Sequence, residues 1–253
     1  MDAAFRDIGA LARALEPLAL EARLRRIAAL AGRKVFTTSL GIEDQVVTDA
    51  IARSGAAIDV VTLDTGRLFP ETRALIEETE ARYGLVILRH RPGAADVDAY
   101  VAQHGRDGFY DSVEARHACC EVRKLRPLAR ALEGAAVWLT GVRRGQSGAR
   151  AETPLAEADP QRGLVKINPL ADVSLDEIRT YAAAHAVPLN PLHARGYPSI
   201  GCEPCTRAIK PGEPERAGRW WWEQDQTREC GLHVRTPPPP ASLLHQKAET
   251  PPT

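Results

Sequence analysis

The chain has 253 residues, 44% of them hydrophobic and 26% charged, and equal numbers of acidic and basic side chains give a formal net charge of zero. This length suits one complete α/β domain with its own core, and the composition is ordinary for a soluble globular protein. Zero net charge offers no basis for nucleic acid or an anionic membrane as a partner. No apolar run approaches the ~18 residues of a membrane-spanning helix, and the N-terminus lacks the pattern of a signal peptide, so we expect a cytoplasmic protein.

Hydropathy patterning predicts strands in alternation with helices along most of the chain. Such alternation favours an α/β fold in which helices flank a parallel sheet, and ligands of that architecture bind at the carboxyl ends of the strands. Residues 90–118 and 143–163 have low apolar content and are predicted to be loop-rich insertions, and the α/β pattern ends at Pro188. The predicted strands are residues 35–39, 58–63, 85–88, 135–140 and 164–167, and the predicted helices lie within 5–31, after Ile42, over 70–83 and over 174–184.

The first strand-to-helix turn carries hydroxyl groups and a glycine, in the run Thr37-Thr38-Ser39-Leu40-Gly41. Together with the N–H groups of a helix N-terminus, these donors suit a phosphate or a sulfate. The turn has neither the Gly-Lys-Ser/Thr of a Walker A loop nor the glycine pattern of a dinucleotide site. Taken alone, it is better explained as a glycine turn in which Ser39 caps the next helix.

Two further strand ends are candidates for the same ligand. After the second strand, backbone groups of Leu63 are expected to contact the edge of a base, although the residues that follow also fit a simple turn and helix cap. After the fourth strand, Gly141 is followed by Arg143, Arg144 and Arg150, which suit an anion. The alternative is a solvated basic loop, and the position at the carboxyl end of a strand favours binding.

Four of the five cysteines fall into two close pairs, and the fifth stands apart. Cys119-Cys120 and Cys202-Glu203-Pro204-Cys205 fit zinc, a redox dithiol or an iron–sulfur cluster. Adjacent side chains point in different directions and rarely bind one tetrahedral ion, whereas each thiolate of a cubane binds its own iron. The adjacent pair therefore favours a 4Fe–4S cluster over zinc. Disulfides are not expected in a reducing compartment.

The C-terminal part combines cations, aromatic residues and the remaining thiol. Arg216 and Arg219 precede three consecutive tryptophans, which we expect to anchor this segment while the arginines face an anion. An aromatic anchor alone leaves the arginines unexplained. Cys230 has short, polar neighbours, and an exposed thiol near cations is partly thiolate and therefore nucleophilic. Residues 236–253 are proline-rich and polar and are predicted to form a disordered tail.

Together these motifs resemble the assimilatory adenylyl-sulfate (APS) reductases, the iron–sulfur branch of the phosphoadenylyl-sulfate (PAPS) reductase family. The resemblance implies an adenine nucleotide α-hydrolase-like fold of the PP-loop type. It also implies one reductase domain over residues 1–235, of which 206–235 form a mobile C-terminal segment with the reactive Cys230. The resemblance runs from about Thr37 to His233. Its motifs are Cys119-Cys120-Glu121-Val122-Arg123-Lys124, Gly201-Cys202-Glu203-Pro204-Cys205-Thr206-Arg207, Arg216-Ala217-Gly218-Arg219-Trp220-Trp221-Trp222-Glu223 and Glu229-Cys230-Gly231-Leu232-His233.

The activity that the resemblance implies is reduction of adenosine 5′-phosphosulfate to sulfite and AMP, with thioredoxin as electron donor and an S-sulfocysteine on Cys230 as intermediate. Lys124 and His233 are the other implied catalytic residues, and a homo-oligomer is compatible with the sequence. The implied 4Fe–4S ligands are Cys119, Cys120, Cys202 and Cys205, and the implied substrate-binding residues are Ser39, Gly41, Leu63, Gly141, Arg150, Arg216 and Arg219.

One departure from the family pattern concerns the substrate. Many cluster-bearing members have Ser-Phe-Ser-Gly where this chain has Thr38-Ser39-Leu40-Gly41, a form nearer to the PAPS group, so PAPS or both substrates are the alternative. Two rivals from other classes remain. One is a nucleotidyl transferase of the ATP-pyrophosphatase type, which the missing Ser-Gly-Gly-x-Asp-Ser loop disfavours, and the other is a zinc-stabilised nucleotide-binding module without catalysis.

Overall fold

The structure, a computed structural model, describes residues 7–223. The predicted tail at 236–253, Cys230 and His233 lie outside these residues. No helix within the described range is both long and apolar enough to cross a membrane. The helices are α1 (Ile8–Leu15), α2 (Leu20–Ala28), α3 (Ile42–Ser54), α4 (Pro70–Tyr83), α5 (Ala94–His104), α6 (Val113–Cys120), α7 (Arg126–Ala131) and α8 (Leu175–Ala184), and the strands are β1 (Arg33–Thr38), β2 (Asp59–Leu63), β3 (Leu88–His90), β4 (Ala135–Leu139), β5 (Ala156–Asp159) and β6 (Leu164–Ile167).

The strands form one six-stranded sheet in the order β3-β2-β1-β4-β6-β5. Five strands are parallel, and β5 pairs with β6 in the antiparallel direction at one edge. The order reverses at β1, which has β2 on one side and β4 on the other. In open α/β sheets such a reversal opens a crevice at the carboxyl ends of the strands. The predicted sheet and its helical flanks are confirmed.

Side chains of successive strand residues enter two separate cores, because a strand alternates between the two faces of its sheet. In β1, Phe36 packs in the larger core with Val47 of α3. Its neighbour Val35 packs in the smaller core with Leu128 of α7 and Trp138 of β4. Burial of each such side chain contributes about 1.5–3 kcal/mol. Both faces are therefore covered, as the continuous apolar strands of the sequence require.

The sequence prediction is wrong at the start of the third strand and in the two segments predicted to be loop-rich. The third strand begins at Leu88 rather than residue 85, and Val86 is 71% exposed. The segments predicted to be loop-rich contain α5, α6 and β5. Of the residues in α5 only Tyr100 is buried, so its apolar periodicity is weak. The edge strand β5 is short and carries acidic residues, which removes the apolar run that identifies a strand.

Candidate active site

A cavity of about 180 Å³ opens where the sheet order reverses, at the carboxyl ends of β1, β2 and β4. Its base includes Trp138, whose Nε1 donates to Thr37 Oγ1 at 2.8 Å. Residues from the loops after these strands, from the turn that follows α6 and from the C-terminal segment enclose it. The cavity brings together eight residues that the sequence predicted for the site: Ser39, Gly41, Leu63, Lys124, Gly141, Arg150, Arg216 and Arg219.

The loop after β1 is held by a buried carboxylate that was not predicted from the sequence. Asp44, in the first turn of α3, accepts hydrogen bonds from both Ser39 N and Ser39 Oγ at 2.6 Å. Burial raises the pKa of Asp44 to about 6, although the two bonds from Ser39 oppose the shift. The alternative that Ser39 caps α3 is wrong, because Gly41 is the residue before the helix and no side chain caps it.

Leu40 and Gly141 complete the two loops on either side of Asp44. Leu40 has a φ of 60°, in the left-handed region, and its side chain is fully buried. Gly141 passes so close to Asp44 that a Cβ at this position would lie 2.0 Å from Asp44 Oδ1. The glycine is therefore required by a close approach of backbone and carboxylate.

The three arginines after β4 have three different environments. Arg150 lines the cavity and donates from Nη1 to Gln146 Oε1 at 2.6 Å. Arg143 is buried and donates to two carboxylates, from Nε to Glu43 at 2.7 Å and from Nη2 to Glu215 at 2.6 Å. Arg144 is exposed and donates to a backbone carbonyl. Of the three, Arg150 is placed to meet an anion in the cavity.

The segment after the second cysteine pair folds back on itself. Arg207 N donates to Gly218 O at 2.9 Å, and Trp220 N donates to Cys205 O at 3.1 Å. The fold-back brings Arg216 and Arg219 to the cavity.

Arg219 lies across Gly201, where a Cβ would approach Arg219 Nη2 to 2.1 Å. Its Nη1 contacts Ser199 Oγ and Ile200 O, both at 3.3 Å. Within residues 7–223, the buried Nε of Arg219 has no hydrogen-bond partner. Arg219 also lines the cavity, so its guanidinium is placed to meet an anionic ligand.

The four cysteines of the two pairs meet beside this cavity as free thiols. Cys120, Cys202 and Cys205 are buried, Cys119 is half-buried, and all four line a second, small cavity. Thr65 Oγ1 from the loop after β2 lies 3.3 Å from Cys202 Sγ. Aromatic residues, Phe109 and Trp220 among them, enclose the group. The structure therefore gathers the predicted ligand set at one place.

The thiols lie in an apolar setting that contains cations. Burial and the neighbouring Cys202 thiol raise the pKa of Cys205 to about 12. Burial also raises the pKa of Cys119, and Arg123 and Lys124 oppose that shift. Thiols in such a place become thiolates when positive charge binds them. In the described part of the chain, no three His, Cys, Asp or Glu side chains have the arrangement of a site for a single metal ion.

Lys124 lines both cavities, and the helix around it is irregular. Residues Glu121–Leu125 form a π-helical turn between α6 and α7. Pro127 has no N–H to donate to the carbonyl of Arg123, which interrupts the α-helical bonding at this point. The Lys124 Nζ lies 5.9 Å from the centre of the Trp220 ring, and the Arg219 guanidinium carbon lies 4.7 Å from the same centre. Both cations therefore lie close to the Trp220 ring.

The last described residue is fixed by a buried ion pair. Arg116, in α6, donates from Nε and Nη2 to the two carboxylate oxygens of Glu223 at 2.8 and 2.7 Å. Cys230 and His233 follow within ten residues in the sequence and lie outside the described residues. Their predicted catalytic roles stay predictions.

Several residues of the site are carboxylates that the sequence reading did not select. Glu43, Asp44 and Glu215 all line the cavity. In the sequence, Glu43 and Asp44 look like ordinary acidic residues of a first helical turn. A signal was nevertheless present, since two acidic residues directly follow the anion-binding turn.

Solved structures of nucleotide-binding enzymes share this fold. A crystal structure of phosphoadenylyl-sulfate reductase from Candida auris, a phosphate complex, matches with a TM-score of 0.69 at 25% identity and covers 83% of this chain and 99% of that one. FMN adenylyltransferase from Candida glabrata shares the fold alone, with a TM-score of 0.51 at 15% identity over 90% of this chain and 78% of that one. The predicted adenine nucleotide α-hydrolase-like fold of the PP-loop type is confirmed.

The sequence comparisons define the family. The model of the phosphoadenosine phosphosulfate reductase domain matches residues 33–208, and the chain belongs to this family. A relative from Sinorhizobium fredii (strain USDA 257), named adenosine 5′-phosphosulfate reductase, is 70% identical over 220 residues, which cover 87% of this chain and 88% of the relative. A relative of the same name from Agrobacterium fabrum is 63% identical over 243 residues, with 95% and 94% covered. The resemblance seen in the sequence is confirmed.

Proposed function

We propose that this protein reduces adenosine 5′-phosphosulfate to sulfite and AMP in the cytoplasm, with thioredoxin as electron donor. The observation that carries the proposal is the single cavity lined by both the nucleotide loops and four cationic side chains, Lys124, Arg150, Arg216 and Arg219. The relatives named adenosine 5′-phosphosulfate reductase support the choice of substrate. An adenosine fits the loops at a strand reversal, and the cations offset the charge of the phosphosulfate.

We further propose that Cys119, Cys120, Cys202 and Cys205 hold a 4Fe–4S cluster. The fit rests on the donor set, because four free thiols line one small cavity that cations and aromatic rings enclose. Burial raises the pKa of the Cys119 and Cys205 thiols, and the positive charge of bound iron would favour their thiolate forms. When bound, such a cluster supplies a fixed charge distribution beside the substrate. A colourless preparation that contains zinc and no acid-labile sulfide would instead favour the zinc-stabilised module.

The chain's own residues support a two-stage reaction. The Cys230 thiolate attacks the sulfate sulfur, the bond from sulfur to the bridging oxygen breaks, and AMP leaves with the electron pair. Lys124 and the arginines of the cavity lower the repulsion between thiolate and phosphosulfate and stabilise the charge on the departing phosphate. The product of this stage is an S-sulfocysteine on Cys230, and His233, by its place in the same motif, belongs to the catalytic group.

Thioredoxin completes the cycle as the two-electron donor. One of its thiolates attacks the Cys230 sulfur, and sulfite leaves with the electron pair of the broken S–S bond. The second thioredoxin thiol then resolves the mixed disulfide, so that thioredoxin becomes oxidised and Cys230 returns to its thiol. We infer that the segment carrying Cys230, within the proposed mobile segment 206–235, meets the substrate and thioredoxin in turn.

Mass spectrometry of the protein after incubation with adenosine 5′-phosphosulfate tests this reaction. Without thioredoxin, we expect a sulfo group on the tryptic peptide that contains Cys230, and its loss as sulfite when reduced thioredoxin is added. The Cys230→Ser variant should bind AMP like the wild type and form no adduct. A sulfo adduct that still forms in Cys230→Ser would disprove the role of this thiol.

PAPS is the alternative substrate, because the matching family and the Candida auris structure carry that name. The sequence departure at Leu40 bears on this choice. Leu40 is fully buried, and it is not among the described residues that line the cavity. The exchange of a hydroxyl for leucine therefore changes the packing beneath the loop rather than the cavity wall, so this departure does not favour PAPS over adenosine 5′-phosphosulfate.

A further inference from the structure

Arg143 joins three walls of the substrate cavity without lining it. It follows β4 and the cavity residue Gly141, and its side chain is 3% exposed. Its Nε donates to Glu43 of the first loop and helix at 2.7 Å. Its Nη2 donates to Glu215, the residue before Arg216, at 2.6 Å. One guanidinium thus connects the β1 loop, the β4 loop and the C-terminal segment.

The bonding continues from this guanidinium to a second cavity cation. Gln146 Nε2 donates to Glu43 Oε1 at 3.0 Å, and Gln146 Oε1 accepts from Arg150 Nη1 at 2.6 Å. Arg150, which is bonded to Gln146, and Arg216, which follows Glu215 in the sequence, both line the cavity. Their relative positions are therefore coupled to the two carboxylates that Arg143 holds.

The burial of the network gives it energetic weight. Exposed ion pairs contribute little to stability, but the side chains of Glu43 and Glu215 are only 9% and 20% exposed. Burial raises the pKa of Glu215, and the Arg143 guanidinium opposes that shift. A lysine presents a point charge and cannot reproduce the planar fork that reaches two carboxylates at once.

We propose that Arg143 is a positioning residue that fastens the C-terminal segment to the nucleotide loops and thereby sets Arg216 for the anionic end of the substrate. This inference rests on the proposed function for its substrate, whereas the fastening itself follows from the geometry alone. Because Arg143 fastens the C-terminal segment, the affinity for substrate depends on docking of that segment against the nucleotide loops. Arg143 touches no reacting atom in this arrangement.

The test compares Arg143→Met and Glu215→Gln with Arg144→Met, a matched control that removes the neighbouring, exposed cation. The first readout is the rate of tryptic cleavage after Arg207, Arg216 and Arg219, which reports docking of the segment whatever the enzyme does. We expect cleavage to accelerate about 10-fold in both test variants and to stay unchanged in the control. Glu215→Gln keeps the test decisive if Arg143→Met folds poorly.

The second readout is steady-state kinetics with adenosine 5′-phosphosulfate. Both test variants should raise KM about 10-fold while kcat changes less, since the reacting groups are intact. Arg143→Lys should recover only part of the loss.

A double substitution tests the route of the effect. Arg216→Met should add little to KM in the Arg143→Met background, because Arg143 acts through Arg216. Fully additive effects, or Arg143→Met with wild-type cleavage and KM, would overturn the proposal. If the wild type releases no sulfite, the proposed function fails, and the cleavage rates still decide whether Arg143 fastens the segment.

Discussion

Replacement of Gly141 by alanine adds a single Cβ atom and so tests how closely the β4 loop approaches Asp44. The added Cβ would lie 2.0 Å from Asp44 Oδ1 and 3.1 Å from Asp44 Cγ, closer than non-bonded atoms approach. The carboxylate has little freedom to withdraw, because Ser39 N and Oγ both hold it at 2.6 Å. Either the β4 loop moves outward or Asp44 gives up its bonds to Ser39, and both changes deform the cavity.

The expected loss of stability follows from these contacts. Overpacking of a tight site costs about 1–3 kcal/mol, and a lost hydrogen bond to a charged group costs about 1.5–3 kcal/mol. We therefore expect Gly141→Ala to lower the free energy of unfolding by about 2–4 kcal/mol in urea titrations. The affinity for AMP, measured by calorimetry, should fall at least about 10-fold, since one cavity wall is displaced.

Gly148→Ala is the matched control, in the same loop, where an added Cβ meets nothing within 4 Å. It should stay within about 0.5 kcal/mol of the wild type. Asp44→Ala combined with Gly141→Ala removes the two closest atoms, Oδ1 and Cγ, and leaves the backbone N at 3.3 Å. The double variant should therefore lose little stability beyond that lost by Asp44→Ala alone. Wild-type stability and AMP affinity in Gly141→Ala would refute the close approach, and additive losses in the double variant would refute Asp44 as its cause.

Three further predictions concern burial and charge. The pKa of Asp44 is raised from its usual 3.8 to about 6, so the folded protein binds this proton more tightly than the unfolded chain does. The stability of the wild type relative to Asp44→Asn should therefore fall by up to about 3 kcal/mol as the pH rises from 4 to 6. Urea titrations in which this stability difference does not change with pH would contradict the prediction. Gly201→Ala, whose Cβ would meet the Arg219 guanidinium, should raise KM for the substrate with little loss of thermal stability, and an unchanged KM would argue against the placement of Arg219. Arg116→Met leaves the buried Glu223 carboxylate without this partner and should lower the free energy of unfolding, measured in urea, by about 3–5 kcal/mol. Arg116→Met combined with Glu223→Leu should lower it less. A double variant that is less stable than Arg116→Met would contradict the importance of this ion pair.

The sequence predicts those parts of the fold whose signals are local. Most strands flanking the cavity are apolar runs that end in glycine or hydroxyl residues, and α4 begins at Pro70 as predicted. The helices α5 and α6 escaped prediction because they bury few apolar residues, so their pattern is decided by contacts with distant parts of the chain. The edge strand β5 depends likewise on its pairing with β6.

The residues of the candidate site likewise include some that local motifs predicted and some that they did not. The cationic and cysteine residues were predicted because motifs carry them, and the structure gathers Lys124, Arg150, Arg216, Arg219 and the four paired cysteines, but not Arg143 and Arg144, at the two cavities. The bond of Asp44 to Ser39 and the bonds of Arg143 to Glu43 and Glu215 were not predicted, since they depend on backbone geometry and on partners distant in the sequence. Three arginines in one loop look equivalent in the sequence, yet the fold buries one, exposes one and turns one to the cavity.

The most direct test of the proposed activity is product analysis with purified protein, reduced thioredoxin and either adenosine 5′-phosphosulfate or its 3′-phosphorylated form. We predict sulfite and AMP in equal amounts from adenosine 5′-phosphosulfate, at a higher kcat/KM than for the 3′-phosphorylated substrate, and no product without thioredoxin beyond one equivalent of AMP. Absence of sulfite from both substrates, with pyrophosphate released from ATP instead, would contradict the account.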